Sequence, residues 1–299
     1  MADSIPVLSI AQIRKCAKLS EYLLNTSNLP FGLHTVLVSG GGQSMMPYFF
    51  VSSDGTDLYI TIRGSCEPAD FIMDLEFDRI EYSTGKVHSG IFRGAKFIIG
   101  ESLKGIQSCT GNVFVTGHSM GGSLSAMVAL ILRTDYGMNN VYAVSLAPFP
   151  VMSLDLASEC EPFVVSFVYN NDAVPRLTSK NISALVNTFA PPSNPNGKFM
   201  LMMMGQQLLG GFVQASGGSQ GQVAELQTKI QVIVDKLMEM VNKEEEFEFF
   251  LPGIVYHFTP SNVTRVDPYD FAEGTADLLT GVMDHNFVSY ENCLMAWNA

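Results

Sequence analysis

The sequence lacks the long apolar runs and the basic leader that mark membrane-spanning and exported chains. No stretch reaches the roughly 18 uninterrupted apolar residues of a spanning helix, and Met1 to Pro6 contains no basic region or apolar signal segment. Cysteine is scarce and scattered, at Cys16, Cys66, Cys109, Cys160 and Cys293. An odd number without metal-ligand spacing argues against a disulfide framework and fits a reducing compartment. We therefore expect a cytoplasmic protein, peripheral on internal membranes at most.

Basic residues are also few, with 17 Lys and Arg against 29 Asp and Glu and a formal net charge of −12. Such a chain repels nucleic acid and anionic lipid, which argues against nucleic-acid binding as its function. Hydrophobic residues make up 47% of the chain, which supplies a large core and argues against disorder. A length of 299 residues is compatible with one α/β domain, and we expect a single domain over residues 1–299.

Residues 112–122, with the sequence NVFVTGHSMGG, carry the most specific chemical signal in the chain. The apolar run 113–115 predicts a buried strand, and residues 123–132 predict a helix. Gly-x-Ser-x-Gly between a strand and a helix is typical of a nucleophile elbow, a sharp turn that lifts the serine above a sheet. Glycines on either side remove the Cβ atoms that would clash in this strained turn. Ser119 is therefore the candidate nucleophile.

The candidate general base is His285. In the fold that carries this elbow, the acid and then the base follow the serine along the chain. Three histidines precede Ser119 and are disfavoured by that order: His34, His88 and His118. His257 lies in an apolar alternation that predicts a strand, whereas His285 lies in a polar loop between two helical stretches. We expect His88 and His118 to make structural hydrogen bonds instead.

The candidate acid is Asp172. It follows the buried-strand pattern 163–169 directly, and open α/β sheets place their catalytic groups at the carboxyl ends of strands. This position and the chain order favour Asp172 over the other acids after the serine, among them Asp155, Asp267 and Asp277. Strands and helices alternate around the elbow, which predicts a mostly parallel sheet with helices on both faces.

Five short motifs in one order resemble the class 3 lipase family. They are TIRGS at 61–65, VHSGIF at 87–92, GHSMGG at 117–122, NDAVP at 171–175 and DH at 284–285. The likeness covers roughly residues 45 to 295 apart from a stretch near 195 to 248, and Met120 stands where the family usually has Leu. The run LAPFP at 146–150 looks closer to the intracellular diacylglycerol-lipase-like branch than to the secreted fungal enzymes. The resemblance implies an α/β-hydrolase fold and hydrolysis of acylglycerols.

The resemblance also implies an oxyanion hole and a lid. The backbone amides of Ser65 and Met120 would stabilise the oxyanion of the reaction. Residues 66–77 match the position of the family's lid, a short amphipathic helix, in which Phe71, Ile72 and Leu75 would contact substrate. An ordinary surface helix with its apolar side in the core is the equal alternative for this segment.

Residues 198–247 form an expected helical insertion. The methionine-rich run 199–204 must be covered by the protein's own core, a partner chain or a lipid, because soluble proteins rarely expose such a run. A later helix carries an apolar stripe of Val223, Leu226, Ile230, Ile233, Leu237 and Met240. We expect the insertion to form a cap that gates acyl entry or docks on bilayers, and residues 223–240 to be a candidate homo-oligomer contact.

The sequence thus predicts a serine lipase or esterase that hydrolyses mono- or diacylglycerol-like esters through an acyl-enzyme on Ser119, without metal or organic cofactor. The triad alone does not select the substrate, so a short-chain carboxylesterase or a phospholipase is an alternative. A lipase-like binding or signalling protein without activity, or a membrane scaffold that uses the insertion, are alternatives of another class.

Overall fold

The computed structural model describes residues 8–24, 26–40, 46–64, 79–191, 193–215, 230–232, 234–235, 237–239, 248–260, 262–273 and 281–297. The strands in this part of the chain are β1 (His34–Ser39), β2 (Phe49–Ser53), β3 (Leu58–Ile62), β4 (Arg79–Tyr82), β5 (Gly85–His88), β6 (Val113–His118), β7 (Val141–Leu146), β8 (Val164–Tyr169), β9 (Ile254–Thr259) and β10 (Asn262–Val266). The helices are α1 (Ile10–Leu19), α2 (Ser89–Ser108), α3 (Met120–Tyr136), α4 (Leu154–Glu159), α5 (Ser179–Phe189), α6 (Gly197–Ala215), α7 (Tyr269–Glu273) and α8 (Phe287–Ala296). Short 3-10 turns lie at Ser20–Leu24, Val174–Arg176 and Gly281–Asp284.

Eight of these strands form one sheet in the order β1-β2-β3-β6-β7-β8-β9-β10, and β4 and β5 form a separate hairpin. Neighbours from β3 through β9 run parallel, while β1, β2 and β10 add antiparallel edges. Residues of the central strands β3, β6 and β8 are almost all buried, as expected where helices cover both faces of a parallel sheet. The predicted mostly parallel α/β sheet is confirmed.

Side chains that alternate along each strand enter two separate cores. On β6, Val113 and Val115 pack into the core beneath α2 and α3, whereas Phe114 packs into the core beneath α1 and α8. This alternation follows from the two-residue period of a strand. The carboxyl ends of the parallel strands therefore emerge between the two helical layers, and the candidate site residues lie at this end.

The segment between β8 and β9, which includes the insertion, contains a small separate core. Its buried members come from α5, α6 and the described helical residues after 230, and are Ile182, Val186, Ala190, Leu201, Ile230 and Val234. Ile230 belongs to the predicted apolar stripe and is fully buried on its own chain. Most of that stripe lies outside the described residues, so pairing of a second copy through 223–240 stays a prediction.

The methionine-rich run forms the first turns of α6 and divides between core and surface. Leu201 is buried, whereas Phe199 and Met203 are 64% and 50% exposed. The chain's own core therefore covers only part of this run. Within the described residues, no helix combines the length and the apolar character that crossing a bilayer requires.

Candidate active site

Ser119 lies at a strained turn between β6 and α3. Its backbone has φ 62° and ψ −126°, outside the regions that side-chain-bearing residues usually adopt. Neighbouring backbone permits this turn only where Cβ atoms are absent: a Cβ on Gly121 would lie 2.3 Å from the Ile62 carbonyl oxygen. A Cβ on Gly117 would lie 2.5 Å from the same atom. The serine hydroxyl thus stands at the positively polarised N-terminus of α3, as the elbow motif predicts.

The structure brings the three predicted triad side chains into one hydrogen-bonded line. The Nε2 atom of His285 lies 2.9 Å from the Ser119 Oγ. Its Nδ1 atom lies 2.8 Å from Oδ2 and 3.0 Å from Oδ1 of Asp172. Asp172 is fully buried, and His285 is partly buried in the loop directly before α8. With Nδ1 protonated and donating to the carboxylate, Nε2 is the lone-pair nitrogen that faces the serine hydroxyl.

Asp172 is held by two further donors that the sequence analysis did not identify. The Val174 amide donates to Oδ1 at 2.9 Å, and the Tyr290 hydroxyl donates to Oδ2 at 2.5 Å. Burial, and then the charge of Asp172, raise the pKa of Tyr290 well above its ordinary value. Tyr290 therefore stays protonated and acts as a permanent donor. No local pattern marks it, because it lies 118 residues from Asp172 along the chain.

The loop that carries Asp172 is bonded directly to the turn that precedes His285. Asp284 Oδ2 accepts from the Asn170 side-chain amide at 2.9 Å and from the Asn171 backbone amide at 3.1 Å. The Ala173 amide donates to the Gly281 carbonyl at 3.2 Å. These bonds fix the acid and the base relative to each other. Asp284 entered the sequence analysis only as the neighbour of the base, and its own contact role was missed.

His257 is not part of this line but supports it. Its Nε2 atom lies 2.7 Å from the carbonyl oxygen of Asn170, two residues before the acid. Burial is the main cause that lowers the pKa of His257. A neutral ring on β9 therefore braces the acid loop. Arg176 adds to the same brace, because its guanidinium donates to the carbonyls of Asp172 at 2.5 Å and Asn170 at 3.1 Å.

His88 makes the expected structural hydrogen bond, whereas His118 does not. His88 Nδ1 accepts from the Ile91 amide at 3.3 Å and caps α2. The His118 ring instead packs on His285 with ring centroids 4.7 Å apart, and its buried Nε2 has no hydrogen-bond partner among the described residues. Burial, and then the adjacent His285, hold the pKa of His118 well below its ordinary value. The prediction for His118 is therefore wrong within the described residues, because this ring packs against the imidazole of the base without a hydrogen bond.

The oxyanion hole is only partly within the described residues. Met120 is the first residue of α3, next to Ser119, where amides point toward the space above the serine. Gly64 follows β3 and touches the elbow, since a Cβ there would lie 3.2 Å from the Ser119 Cβ. The other predicted donor, Ser65, and the predicted lid residues Phe71, Ile72 and Leu75 lie outside the described residues. The described part of the chain also contains no cluster of three or more His, Cys, Asp or Glu side chains able to hold a metal ion.

Comparison with known proteins gives a family match over the central part of this chain. Residues 59–182, from β3 to α5, match the family model described as Lipase (class 3). Mouse diacylglycerol lipase-beta is 28% identical over 169 residues, which cover 51% of this chain and 25% of the relative. Human diacylglycerol lipase-alpha is 28% identical over 149 residues, which cover 44% of this chain and 14% of the relative. The chain thus matches a quarter or less of the length of these relatives.

Solved structures support the fold over a longer part of the chain. The Rhizomucor miehei lipase propeptide complex aligns with a TM-score of 0.57 and 18% identity, covering 93% of this chain and 80% of that one. A deletion mutant of the same complex aligns with a TM-score of 0.55 and 18% identity, covering 93% of this chain and 78% of that one. At this identity the likeness concerns the fold alone. Together with the matched segment and the diacylglycerol lipase relatives, it shows that the chain is similar to class 3 lipases over residues 59–182 and shares the lipase fold over a longer part.

Proposed function

We propose that this chain is a serine lipase that hydrolyses the carboxylic ester bonds of mono- or diacylglycerols. One observation carries the proposal: His285 bridges the hydroxyl of Ser119 and the buried carboxylate of Asp172 at hydrogen-bond distance on both sides. Nucleophile, base and orienting acid in this geometry are the recurring arrangement of acyl-transfer enzymes. The match of residues 59–182 to class 3 lipases and the names of the diacylglycerol lipase relatives support a carboxylic ester hydrolase with acylglycerol substrates.

The proposed reaction has two acyl-transfer steps. Ser119 attacks the ester carbonyl while His285 Nε2 takes the hydroxyl proton, and the Asp172 carboxylate stabilises the resulting imidazolium. The amide of Met120, together with that of Ser65, would stabilise the oxyanion. The imidazolium returns its proton to the leaving alcohol, and a water molecule activated by the same imidazole then releases the fatty acid from Ser119.

The alternatives differ in how well this geometry supports them. A catalytically silent binding protein needs no hydrogen-bonded triad on a strained elbow, so the backbone strain at Ser119 favours an enzyme. A short-chain carboxylesterase or a phospholipase would use the same triad. Rates on acyl esters of graded chain length and on lipids with different head groups separate these substrates from acylglycerols.

The Ser119→Ala variant tests the nucleophile. We expect a loss on the order of 10⁶ in kcat, the usual effect of removing a triad nucleophile, and no labelling by a fluorophosphonate probe. Peptide mapping of the wild-type adduct should locate it on Ser119. Ser108→Ala, which removes an exposed hydroxyl at the end of α2, serves as the control and should keep full activity. Near-normal turnover in the Ser119→Ala variant would rule out this assignment.

We further propose that α6 carries a lipid-contact face beside the catalytic end of the sheet, so that the 198–247 insertion acts as a cap. The helix contacts the turn 281–284 immediately before His285. In that turn Met283 is 56% exposed, and the exposed face of α6 contains Phe199, Met200 and Met203. An exposed apolar surface next to the site suits a substrate delivered from a lipid aggregate.

A double variant tests this contact. Phe199→Gln with Met203→Gln should lower binding to phosphatidylcholine vesicles that contain diacylglycerol, and should leave hydrolysis of a soluble short-chain ester unchanged. Val36→Gln on the edge strand β1 removes an equally exposed apolar group far along the sheet and is the matched control. Equal vesicle binding by wild type and double variant would exclude this face as a lipid contact.

Cell fractionation tests the proposed cytoplasmic location, and analytical ultracentrifugation tests the proposed homo-oligomer.

A further inference from the structure

The N-terminal helix α1 packs directly on α8, the helix that follows the proposed base. On α1, Ile13 and Ala17 are fully buried in the same apolar core as Tyr290 and Leu294 of α8. The two helices belong to opposite ends of the sequence, so their contact is entirely tertiary. This contact joins α1 to the only described helix that touches the carboxylate of Asp172 with a side chain.

Two basic side chains of α1 add polar bonds to α8. Arg14 donates from Nε to the Leu294 carbonyl at 3.0 Å and from Nη2 to the Trp297 carbonyl at 2.6 Å. Carbonyls at the end of a helix have no partner within the helix, and a cation there also interacts favourably with the helix dipole. One turn further along α1, the Lys18 ammonium lies 2.9 Å from the Glu291 carboxylate. Arg14 and Lys18 thus fix α8 at its last turn and its middle.

Directly before the Glu291 attachment point, α8 presents Tyr290 to the acid. The Tyr290 hydroxyl donates to Asp172 Oδ2 at 2.5 Å, and Glu291 is its immediate neighbour in the chain. Asn286, which follows His285, caps the start of α8 by accepting from the Ser289 amide at 2.9 Å. A displacement of α8 would therefore move both the donor to the acid and the backbone next to the base.

We propose that α1 is a positioning element of the active site, in which Arg14 and Lys18 hold α8 so that Tyr290 keeps its hydroxyl on Asp172. This inference rests on the proposed function of the triad. Neither basic residue touches the reacting atoms, and both act through Tyr290. The helix therefore does more than cover one face of the sheet.

Loss of this support has a defined kinetic consequence. If the Tyr290 hydroxyl leaves Asp172, the carboxylate has one donor fewer and stabilises the imidazolium of His285 more strongly. The acidic limb of the pH profile of kcat/KM should then move to higher pH, and a less well oriented base should lower kcat. KM for a small soluble ester should not change. The other charged or titratable groups around the pair stay in place: His118, Arg176, His257 and Asp284.

A double-mutant cycle on a soluble short-chain ester tests the proposal. Arg14→Met and Lys18→Met, which keep most of the apolar stem, should each lower kcat about 5- to 10-fold, as expected from weakening a hydrogen bond to a charged group. Tyr290→Phe should lower kcat and move the acidic limb in the same direction, and Arg14→Met should add nothing in that background. Lys15→Met is the matched control on α1, because its ammonium pairs with Asp54 rather than α8, and it should behave like wild type.

Either of two results would overturn the proposal. One is an unchanged kcat in both Arg14→Met and Lys18→Met. The other is a loss of kcat from Arg14→Met that is as large in the Tyr290→Phe background as in wild type. Thermal melts identify unfolded variants, and in that case Arg14→Lys, which keeps the charge but loses one of the two carbonyl bonds, replaces Arg14→Met in the cycle. If wild type hydrolyses no ester or Ser119→Ala keeps its activity, the proposed function fails first. If both behave as expected and only the cycle fails, the positioning role alone is wrong.

Discussion

At the scale of single residues, the carboxylate of Asp172 is the most constrained group of the site. It is fully buried and accepts hydrogen bonds from the His285 ring, the Val174 amide and the Tyr290 hydroxyl. A buried carboxylate is stable only when its oxygens are satisfied in this way. Its fixed position determines which nitrogen of His285 faces the acid and which faces Ser119.

Substitution of the acid and the base should have large and separable effects. We expect Asp172→Asn to lower kcat by roughly 10⁴, by analogy with the serine protease acid, and His285→Ala to remove nearly all activity. His257→Ala should mainly lower stability, because its ring bonds to the Asn170 carbonyl and does not reach Ser119. Steady-state kinetics and urea unfolding on the three variants provide the check. An essential His257 with a dispensable His285 would contradict the assignment.

Acid stability should depend on His118. Burial, and then the neighbouring His285, keep the pKa of His118 well below 6.5, its ordinary value. Below about pH 6.5 the unfolded chain therefore binds a proton that the folded chain does not, so the free energy of unfolding falls as the pH is lowered. Burial lowers the pKa of His257 in the same direction, so both rings contribute with the same sign.

We expect His118→Gln to flatten the dependence of unfolding free energy on pH between about 5 and 7, because one differentially protonated group is gone. Urea unfolding at several pH values measures this slope. His34→Gln on the exposed strand β1 is the control and should keep the wild-type slope. A variant slope as steep as that of wild type would show that the His118 ring does not titrate differently in the folded state.

At the scale of elements, the insertion is joined to the site through α6. Replacement of residues 198–247 by a short Gly/Ser linker should lower hydrolysis of lipid aggregates far more than hydrolysis of a soluble ester. The replacement should also lower stability, because it removes Leu201, Ile230 and Val234, which cover the apolar side of α5. The replacement should therefore include polar residues at Ile182 and Val186, and melts should verify the fold. An unchanged ratio of the two rates in a folded variant would exclude a gating role.

At the scale of the whole molecule, the net charge should determine whether the protein binds anionic or zwitterionic lipid surfaces. A formal charge of −12 repels anionic vesicles, and screening reduces the repulsion as the Debye length shortens from about 30 Å at 0.01 M salt to about 10 Å at 0.1 M. We expect hydrolysis of diacylglycerol in phosphatidylserine-rich vesicles to rise with salt over this range. In phosphatidylcholine vesicles the rate should change little. A rate that falls with salt in anionic vesicles would indicate a local basic docking patch instead.

The sequence by itself determined those features whose cause is local. The elbow needs small residues at fixed spacing around Ser119, and the apolar runs before Ser119 and Asp172 are continuous because both faces of their strands are buried. The chain order of serine, acid and base then left His285 as the candidate base. These patterns specified the α/β sheet and the three residues that the structure brings together.

Tertiary structure alone decided how those residues are supported. Tyr290 reaches Asp172 across 118 positions, Asp284 reaches Asn170 across 114, and Arg14 reaches the Trp297 carbonyl across 283. The prediction for His118 was wrong for the same reason, since the ring of His285 becomes its neighbour only when β6 and the C-terminal loop meet. No local sequence pattern around a tyrosine, an aspartate or an arginine predicts such a contact. The partner of such a residue is chosen by the packing of helices and strands that are distant in the chain, and this packing arises only in the folded molecule.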